Sequence, residues 1–477
     1  MAFSAYSGYR TYRGIAEAKV NKVSDPNQQW LNQEPHWILP ETIVQGTYEI
    51  RSKHRKYLPQ EERESDLSYD ARLARSVLSP YFIRIERMLA GMLTRKPVQL
   101  NDTADVIRED LFDIDLSGND ISIFTYELTR KLLRYGHIGC LVDSPSLETG
   151  EGRPYWSIYT PRDIIGWRTE KKDGKDELIQ LRLAEQVLVE DGLYGVKEVQ
   201  QIRVLTPGNF EIHRKNKEKS DWVIQEEGTT SLDYIPFSVA YANKVGYMES
   251  RPPMSDIAEL NLKHYQIQSD YDNILHISAV PMLSIFGMPP SDSEISAGPG
   301  EAFAMPAEAR IEYIEPGGSS FSAQQERLKE IASQINELGL AAILGQKLSA
   351  ETATSKAIDR SQSDATMLYI AQQVQDLIDN SLRFHADYLG VEAGSSYVNR
   401  DFLASRLDPQ EINSVLQLYT ANTISQESLL KMLAEGNVLP DEFDVEEEVE
   451  ATQVAGLIEM EPPEKKEKEE ETVQVEE

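Results

Sequence analysis

Between Pro252 and Ser355 the chain carries two helical stretches whose large residues fall at alternating steps of three and four, and no other feature restricts the fold as much. In the first, expected over about 255–278, Ile257, Leu260, His264, Ile267, Tyr271 and Ile274 are spaced 3, 4, 3, 4, 3. In the second, expected over about 323–342, Leu328, Ile331, Ile335, Leu338 and Ala342 are spaced 3, 4, 3, 4. A period near 3.5 marks a narrow seam that meets another helix, rather than a broad core-facing stripe. Some 40 residues separate the two, with strand patterns at 282–286, 302–305 and 310–314 and a Pro/Gly/Ser loop between the first two. Ser322-Ala323-Gln324-Gln325 has the form of a capping box and should start the second helix. Two seamed helices around such an insertion fit a lone monomer poorly. They predict a ring in which copies pack these helices side by side.

Upstream, residues 1–60 are polar with scattered aromatics (Trp30, Trp37, Tyr48) and read as an N-terminal arm, packed on a neighbour or its own domain, or loosely ordered. Helices are expected from about 68 to 78, from Pro80 to Leu93 with Ser79-Pro80 as cap and first turn, and from Ile121 to Tyr135, closed by Gly136. The period then drops to two. Strands are expected at 138–142, 155–159, 177–187, 196–205, 209–213, 221–225 and 237–241, with turns at Asp173-Gly174, Asp191-Gly192 and Pro207-Gly208-Asn209. Residues 60–250 therefore read as one α+β domain with an antiparallel meander. Downstream, Gly345-Gln346-Lys347-Leu348 breaks the helical pattern. A long helix follows over about 354–389 with a bend near Ser361-Gln362-Ser363, then a loop with one strand, then short helices starting at Asp408-Pro409 and Ser425. From Asp441 onward 16 acidic residues face three lysines, a composition that predicts a disordered, self-repelling tail.

The length of 477 residues allows two to four domains. With 48 basic and 79 acidic residues the net charge is −31, which argues against a protein that grips nucleic acid over its surface. A single cysteine, Cys140, rules out an internal disulfide and fits a reducing compartment. No apolar run reaches the roughly 18 residues of a membrane span, and MAFSAYSGYRTYRG has no signal-peptide core. There is no phosphate loop; Gly345-Gln346-Lys347-Leu348-Ser349 lacks its first glycine and its spacing. HExxH, CxxC and GxSxG are also absent. His264 and His276 lie twelve apart on one predicted helix and out of register, so they form no metal pair. The expectation is a protein without catalytic residues, metal or cofactor.

The order of parts resembles the portal proteins of tailed bacteriophages. The resemblance covers about residues 45–450 and rests on four stretches. These are Ala90-Gly91-Met92-Leu93-Thr94-Arg95-Lys96-Pro97, Tyr135-Gly136-His137-Ile138-Gly139-Cys140-Leu141-Val142-Asp143, Tyr159-Thr160-Pro161-Arg162-Asp163-Ile164-Ile165-Gly166-Trp167-Arg168 and Pro252-Pro253-Met254-Ser255-Asp256-Ile257-Ala258-Glu259-Leu260-Asn261-Leu262-Lys263-His264-Tyr265. It implies an α+β subunit divided as follows: arm 1–60, wing 61–253, first stem helix 254–280, β-containing clip 281–320, second stem helix 321–340, tunnel loop 341–354, long kinked helix and return strand 355–407, helical crown 408–440 and acidic tail 441–477.

The same resemblance implies a ring, typically of twelve copies, at one capsid vertex. It would be a channel for packaging and ejecting double-stranded DNA and a docking site for the terminase large subunit and head–tail adaptors. The major capsid or a scaffolding protein would be further partners. Assembly would take place in the host bacterial cytoplasm and the product would sit in the virion. In these terms the seam residues from Ile257 to Ile274 and from Leu328 to Leu338 would be the subunit interface. Met288, Glu301, Phe303, Arg310 and Tyr313 would face docking partners, and Gly345, Gln346, Lys347 and Ser349 would touch DNA.

Elementary physics agrees. A channel through which DNA slides should not release counterions and hold phosphates, so an acidic wall suits it. A twelvefold ring also cannot match a duplex of about 10–10.5 base pairs per turn, which excludes base readout. The alternative reading is another ring-forming head or neck protein without a DNA path.

Overall fold

The computed structural model describes residues 20, 22–144, 152–215, 221–278, 282–286, 310–314, 319–344, 353–400, 402, 409–421, 423–435, 438–439, 445 and 448–449. It is a mixed helix and sheet protein, as the change of period predicts. Two units are distinguished, residues 1–402 and 403–477.

The first unit opens with α1 (Gln28–Gln45) and α2 (Thr47–Ser52). This departs from the arm expected over 1–60. α1 contains Pro35 and Pro40, which remove backbone donors and disguise the helix in the sequence, yet it buries Trp37 and Ile43. Next come α3 (Asp66–Arg75), capped by the Ser65 hydroxyl on the Ser68 amide, and α4 (Tyr81–Leu93). The strand β1 (Gln99–Asn101) and the short helix α5 (Asp105–Asp110) lead to α6 (Ile121–Tyr135). α6 has the expected limits. Asp120 accepts from the Ile123 amide at its start, and Gly136 closes it at φ +88°, where a Cβ would strike Arg251.

The expected single meander is two sheets. Strands β2 (His137–Asp143) and β3 (Tyr155–Tyr159) belong to one. The other is a meander of β4 (Ile164–Lys172), β5 (Lys175–Asp191), β6 (Gly195–Thr206), β7 (Asn209–Lys215) and β8 (Trp222–Thr229), hydrogen-bonded in that order. The chain then returns as β9 (Phe237–Tyr241) to the free edge of β2, giving a three-stranded antiparallel sheet β3-β2-β9. β4 was not expected: its Glu170-Lys171-Lys172 end is exposed on both faces and shows no alternation. A small ladder of β10 (Lys244–Gly246) and β11 (Glu249–Ser250) precedes the helical part.

That part comprises α7 (Ser255–Ser278), the antiparallel hairpin β12 (Met282–Phe286) and β13 (Arg310–Ile314), α8 (Ser319–Leu344) and α9 (Ala353–Leu389). α8 begins ahead of Ser322, so the capping-box pattern lies inside the helix rather than at its start. α9 runs as one helix through Ser361–Ser363. The strand β14 (Ser395–Tyr397) closes the unit by pairing with β1, and Asp379 of α9 accepts from the Ser396 amide and hydroxyl.

One large apolar core joins α1, α3, α4, α6, β2, α7, α8 and α9. A second, between the two sheets, is built on Leu141, Leu181, Leu183 and Phe237. α9 is also held by a buried relay. The Trp156 indole N–H donates to His385 Nδ1 (3.2 Å), so Nε2 carries the ring proton and donates to Asp110 Oδ2 (3.0 Å). Burial lowers the pKa of His385, which fits this neutral tautomer.

In the second unit α10 (Pro409–Thr420) and α11 (Gln426–Glu435) start where Pro409 and Ser425 predict, Ser425 accepting from the Ser428 amide. Among its described residues Val415 and Leu429 are buried. The acidic tail beyond Asp441 lies almost wholly outside the described residues.

Candidate assembly site

The paired helices α7 and α8 and the hairpin at their shared end are the segment the sequence singles out. The chain leaves α7 and enters α8 at the hairpin, where Met282 pairs with Ile314 and Phe286 with Arg310, so the two helices run antiparallel where they pack. At about 1.5 Å per residue each spans some 36–39 Å.

The root of α7 is fastened to α3 and α4. Buried Asn261 accepts from the Phe82 amide and donates to the Ser79 carbonyl, both at 3.0 Å. α4 begins after Pro80, which has no capping side chain, so an asparagine of another helix caps it. Ser269 and Ser76 share a buried hydroxyl pair at 2.6 Å, and Arg75 donates to Asn273 (2.9 Å). Buried Arg72 grips both oxygens of Glu64 (2.8 and 2.7 Å), the Pro59 carbonyl and Asp270 of α7 (3.2 Å). Hydrogen bonds from Arg72 hold the Glu64 carboxyl below its usual range, whereas burial raises that of Asp270 against the pull of Arg72. α8 presses on α4 at Gly339, where a Cβ would come within 2.6 Å of Ile85 Cδ1.

The seam residues divide. Ile257, Ile331 and Ile335 are buried in the main core, and Leu260 and Ile267 pack against it. His264 is buried with its ring 5.1 Å from Tyr81, edge to face; burial lowers its pKa, and its Nδ1 has no partner among the described residues. Leu328 is buried too. For these residues the 3.5 period serves packing inside one chain, and buried side chains have no surface left for a second copy. This corrects the expectation that the whole seam is a subunit interface: an antiparallel pair produces the same spacing. Tyr271 and Ile274 are half-buried, and Leu338 is 43% exposed. Beyond them Leu275, Ile277 and Phe286 are exposed, so the uncovered apolar surface lies toward the hairpin.

Arg310 and Tyr313 lie on β13, Arg310 exposed at the register position opposite Phe286. Met288, Glu301 and Phe303, and Gly345, Gln346, Lys347 and Ser349, fall outside the described residues. Among the described residues no group of three or more His, Cys, Asp or Glu could hold a metal, and no helix is long and apolar enough to cross a membrane. What sequence reasoning missed is the anchoring set: Asn261, Ser269 and Asp270 sit beside the seam. A polar residue among apolar ones at 257–265 was the available signal.

Residues 253–389 match the family model of a domain of unknown function (DUF4055), which is less than a third of the chain. The match coincides with the run from α7 to the end of α9. No curated protein sequence matches the chain. Among solved structures the chain is similar to one in the neck of an empty gene transfer agent (GTA) particle computed with C6 symmetry, at 12% identity over 75% of this chain and 90% of that chain, with a TM-score of 0.40. It is similar to a chain in the virion of a native GTA particle at 11% identity, over 75% and 90%, TM-score 0.41. A third match is in the neck of a native GTA particle computed with C12 symmetry, at 10% identity, over 74% and 89%, TM-score 0.40.

Proposed function

We propose that this chain is a portal-type structural subunit of a phage-like particle. Twelve copies would assemble into a ring at one capsid vertex through which double-stranded DNA enters and leaves. The observation that carries the reading is the antiparallel pair α7–α8, rooted in an α+β body, holding a β-hairpin at its far end and followed by a 37-residue helix. The net charge of −31 per copy supports a wall along which DNA slides rather than one that holds it.

In this assembly the hairpin, with Arg310 and Tyr313 and the flanking Met288, Glu301 and Phe303, docks the terminase large subunit and later the head–tail adaptor. Tyr271, Ile274 and Leu338, together with Leu275 and Ile277, meet the neighbouring subunit. Gly345, Gln346, Lys347 and Ser349 line the narrowest part of the channel, where a few polar and basic groups touch the duplex without reading sequence. The ring belongs to the virion, forms in the host cytoplasm against capsid or scaffolding protein, and performs no catalysis.

Negative-stain images of the purified protein test this. Rings with a central opening wide enough for a duplex are expected. Monomers alone at tens of micromolar would overturn the reading, and closed rings without an opening would leave a head or neck ring protein that carries no DNA.

A further inference from the structure

The β5–β6 hairpin outgrows its sheet. β4 pairs with β5 no further than Leu183, and β7 pairs with β6 no further than Gln201, so residues 185–200 form a two-stranded ribbon about 25 Å long whose edges pair with no other strand among the described residues. Two-stranded ribbons are marginal in water without a surface to pack on. This one has consecutive apolar residues, Val187-Leu188-Val189, which is the pattern of a strand covered on both faces. Leu188 is nonetheless 68% exposed, Val196 67% and Tyr194, at the tip, 95%.

Leu188 and Val196 share one face. Side chains alternate across a strand, so Gln186, Leu188 and Glu190 line up with Ala184, and Val196, Glu198 and Gln200 with Ile202. Ala184 and Ile202 are register partners at the ribbon's base, and Val23 packs against the cluster that Ile202 forms with Val204 and Ile165. Arg182, on the same face, holds the chain there by donating to the carbonyls of Val23 (2.8 Å) and Asp25 (2.6 Å). The segment that precedes Val23 thus starts from the face that carries the uncovered apolar residues. Glu190 and Glu198 on that face have no basic partner among the described residues; Lys197, on the other face, pairs with Asp191.

Residues 1–19, which lie outside the described residues, have complementary chemistry. They carry Phe3, Tyr6, Tyr9 and Tyr12, with Arg10, Arg13 and Lys19 against the single acid Glu17. Extended, 19 residues reach about 60 Å, more than twice the ribbon's length. We infer that residues 1–19 of the same chain lie along this face of the ribbon, the tyrosines covering Leu188 and Val196 and the arginines facing Glu190 and Glu198. The inference does not depend on ring formation and holds for a monomer.

Two measurements on the full-length protein test it. Amide hydrogen exchange over 186–199 is expected to be at least tenfold faster in Arg10→Glu/Arg13→Glu than in the wild type, with β4 and β7 unaffected. Adding Glu190→Arg/Glu198→Arg should restore the protection. Unchanged exchange, or loss without rescue, would overturn the inference. A Tyr9→Cys/Leu188→Cys variant should form an intrachain disulfide under mild oxidation at submicromolar protein, read by peptide mass. Buried Cys140, its thiol pKa pushed up to about 12 by desolvation, stays silent. A disulfide exclusively between chains would assign the ribbon to the arm of a second copy and refute the intrachain placement, as would none.

Discussion

Replacing Asn261 with leucine, a residue of similar size, should uncouple α7 from the start of α4. The wild-type side chain is fully buried and satisfies two backbone groups, the Phe82 amide and the Ser79 carbonyl. Leucine leaves no cavity into which water could enter, so neither lost bond is replaced. The Phe82 amide is then a buried donor without a partner, at about 1–3 kcal/mol. The Ser79 carbonyl still accepts from the Tyr81 amide (2.9 Å), so its loss is smaller, about 0.5–1 kcal/mol. Together the change should cost about 1.5–4 kcal/mol, a factor of roughly 10 to several hundred in the unfolding equilibrium. Urea unfolding followed by tryptophan fluorescence reads the total, since all five tryptophans belong to the first unit. Exchange at the Phe82 amide reads the local effect and should accelerate by a comparable factor. A loss under about 1 kcal/mol with unchanged exchange at Phe82 would refute the account of α7 as the cap of α4.

Glu86 is fully buried and bonded to Arg130 (3.1 Å) and Arg134 (2.9 and 2.7 Å), so Glu86→Gln takes the carboxylate from both, leaving Arg130 its second partner Glu127 (2.7 Å), and should cost about 3 kcal/mol in the same urea assay. Desolvation takes the pKa of buried His137 from 6.5 down to about 3. A folded pKa below the unfolded one means the unfolded chain binds the proton first; this contribution is whole above pH 6.5 and falls by about 1.4 kcal/mol per pH unit from there to about pH 3. The stability difference between wild type and His137→Gln should therefore shrink as pH falls from 6.5 to 4, as read by urea unfolding at each pH. Lys347→Glu should impair DNA packaging or retention in particles while rings still form in electron micrographs; normal packaging would remove Lys347 from the channel.

Helices with ordinary end signals were legible. Gly136 closes α6 and Ser425 starts α11, because a single left-handed residue or a single side chain decides those ends. The turns at Gly174, Gly192 and Gly208, all at positive φ, were legible for the same reason. α1 was not, because two prolines outweigh the buried Trp37 and Ile43 in any local pattern, and only tertiary packing keeps the helix. The seam was seen, but its partner could not be: spacing specifies that a helix meets another helix, not whether the other helix belongs to the same chain. The anchors Asn261 and Ser269 are polar residues whose partners lie almost 200 positions away, beyond the reach of periodicity.

The closing pair β1–β14 has a consequence for how the protein comes into being. Asn399 donates to the Met92 carbonyl across 307 positions, His385 reaches Asp110 across 275, and Trp156 reaches His385 across 229. A ribosome releasing the chain from its N-terminus delivers α1 to α6 and both sheets long before α9 and β14 exist. Until then the sides of β2 and β9 that α9 will cover stand open, and Trp156 lacks its partner His385. Such long-range closure is slow and leaves apolar surface exposed while it waits. Newly made subunits should therefore complete their folding only after release from the ribosome, and truncation anywhere before about residue 397 should yield insoluble protein rather than a shorter folded one.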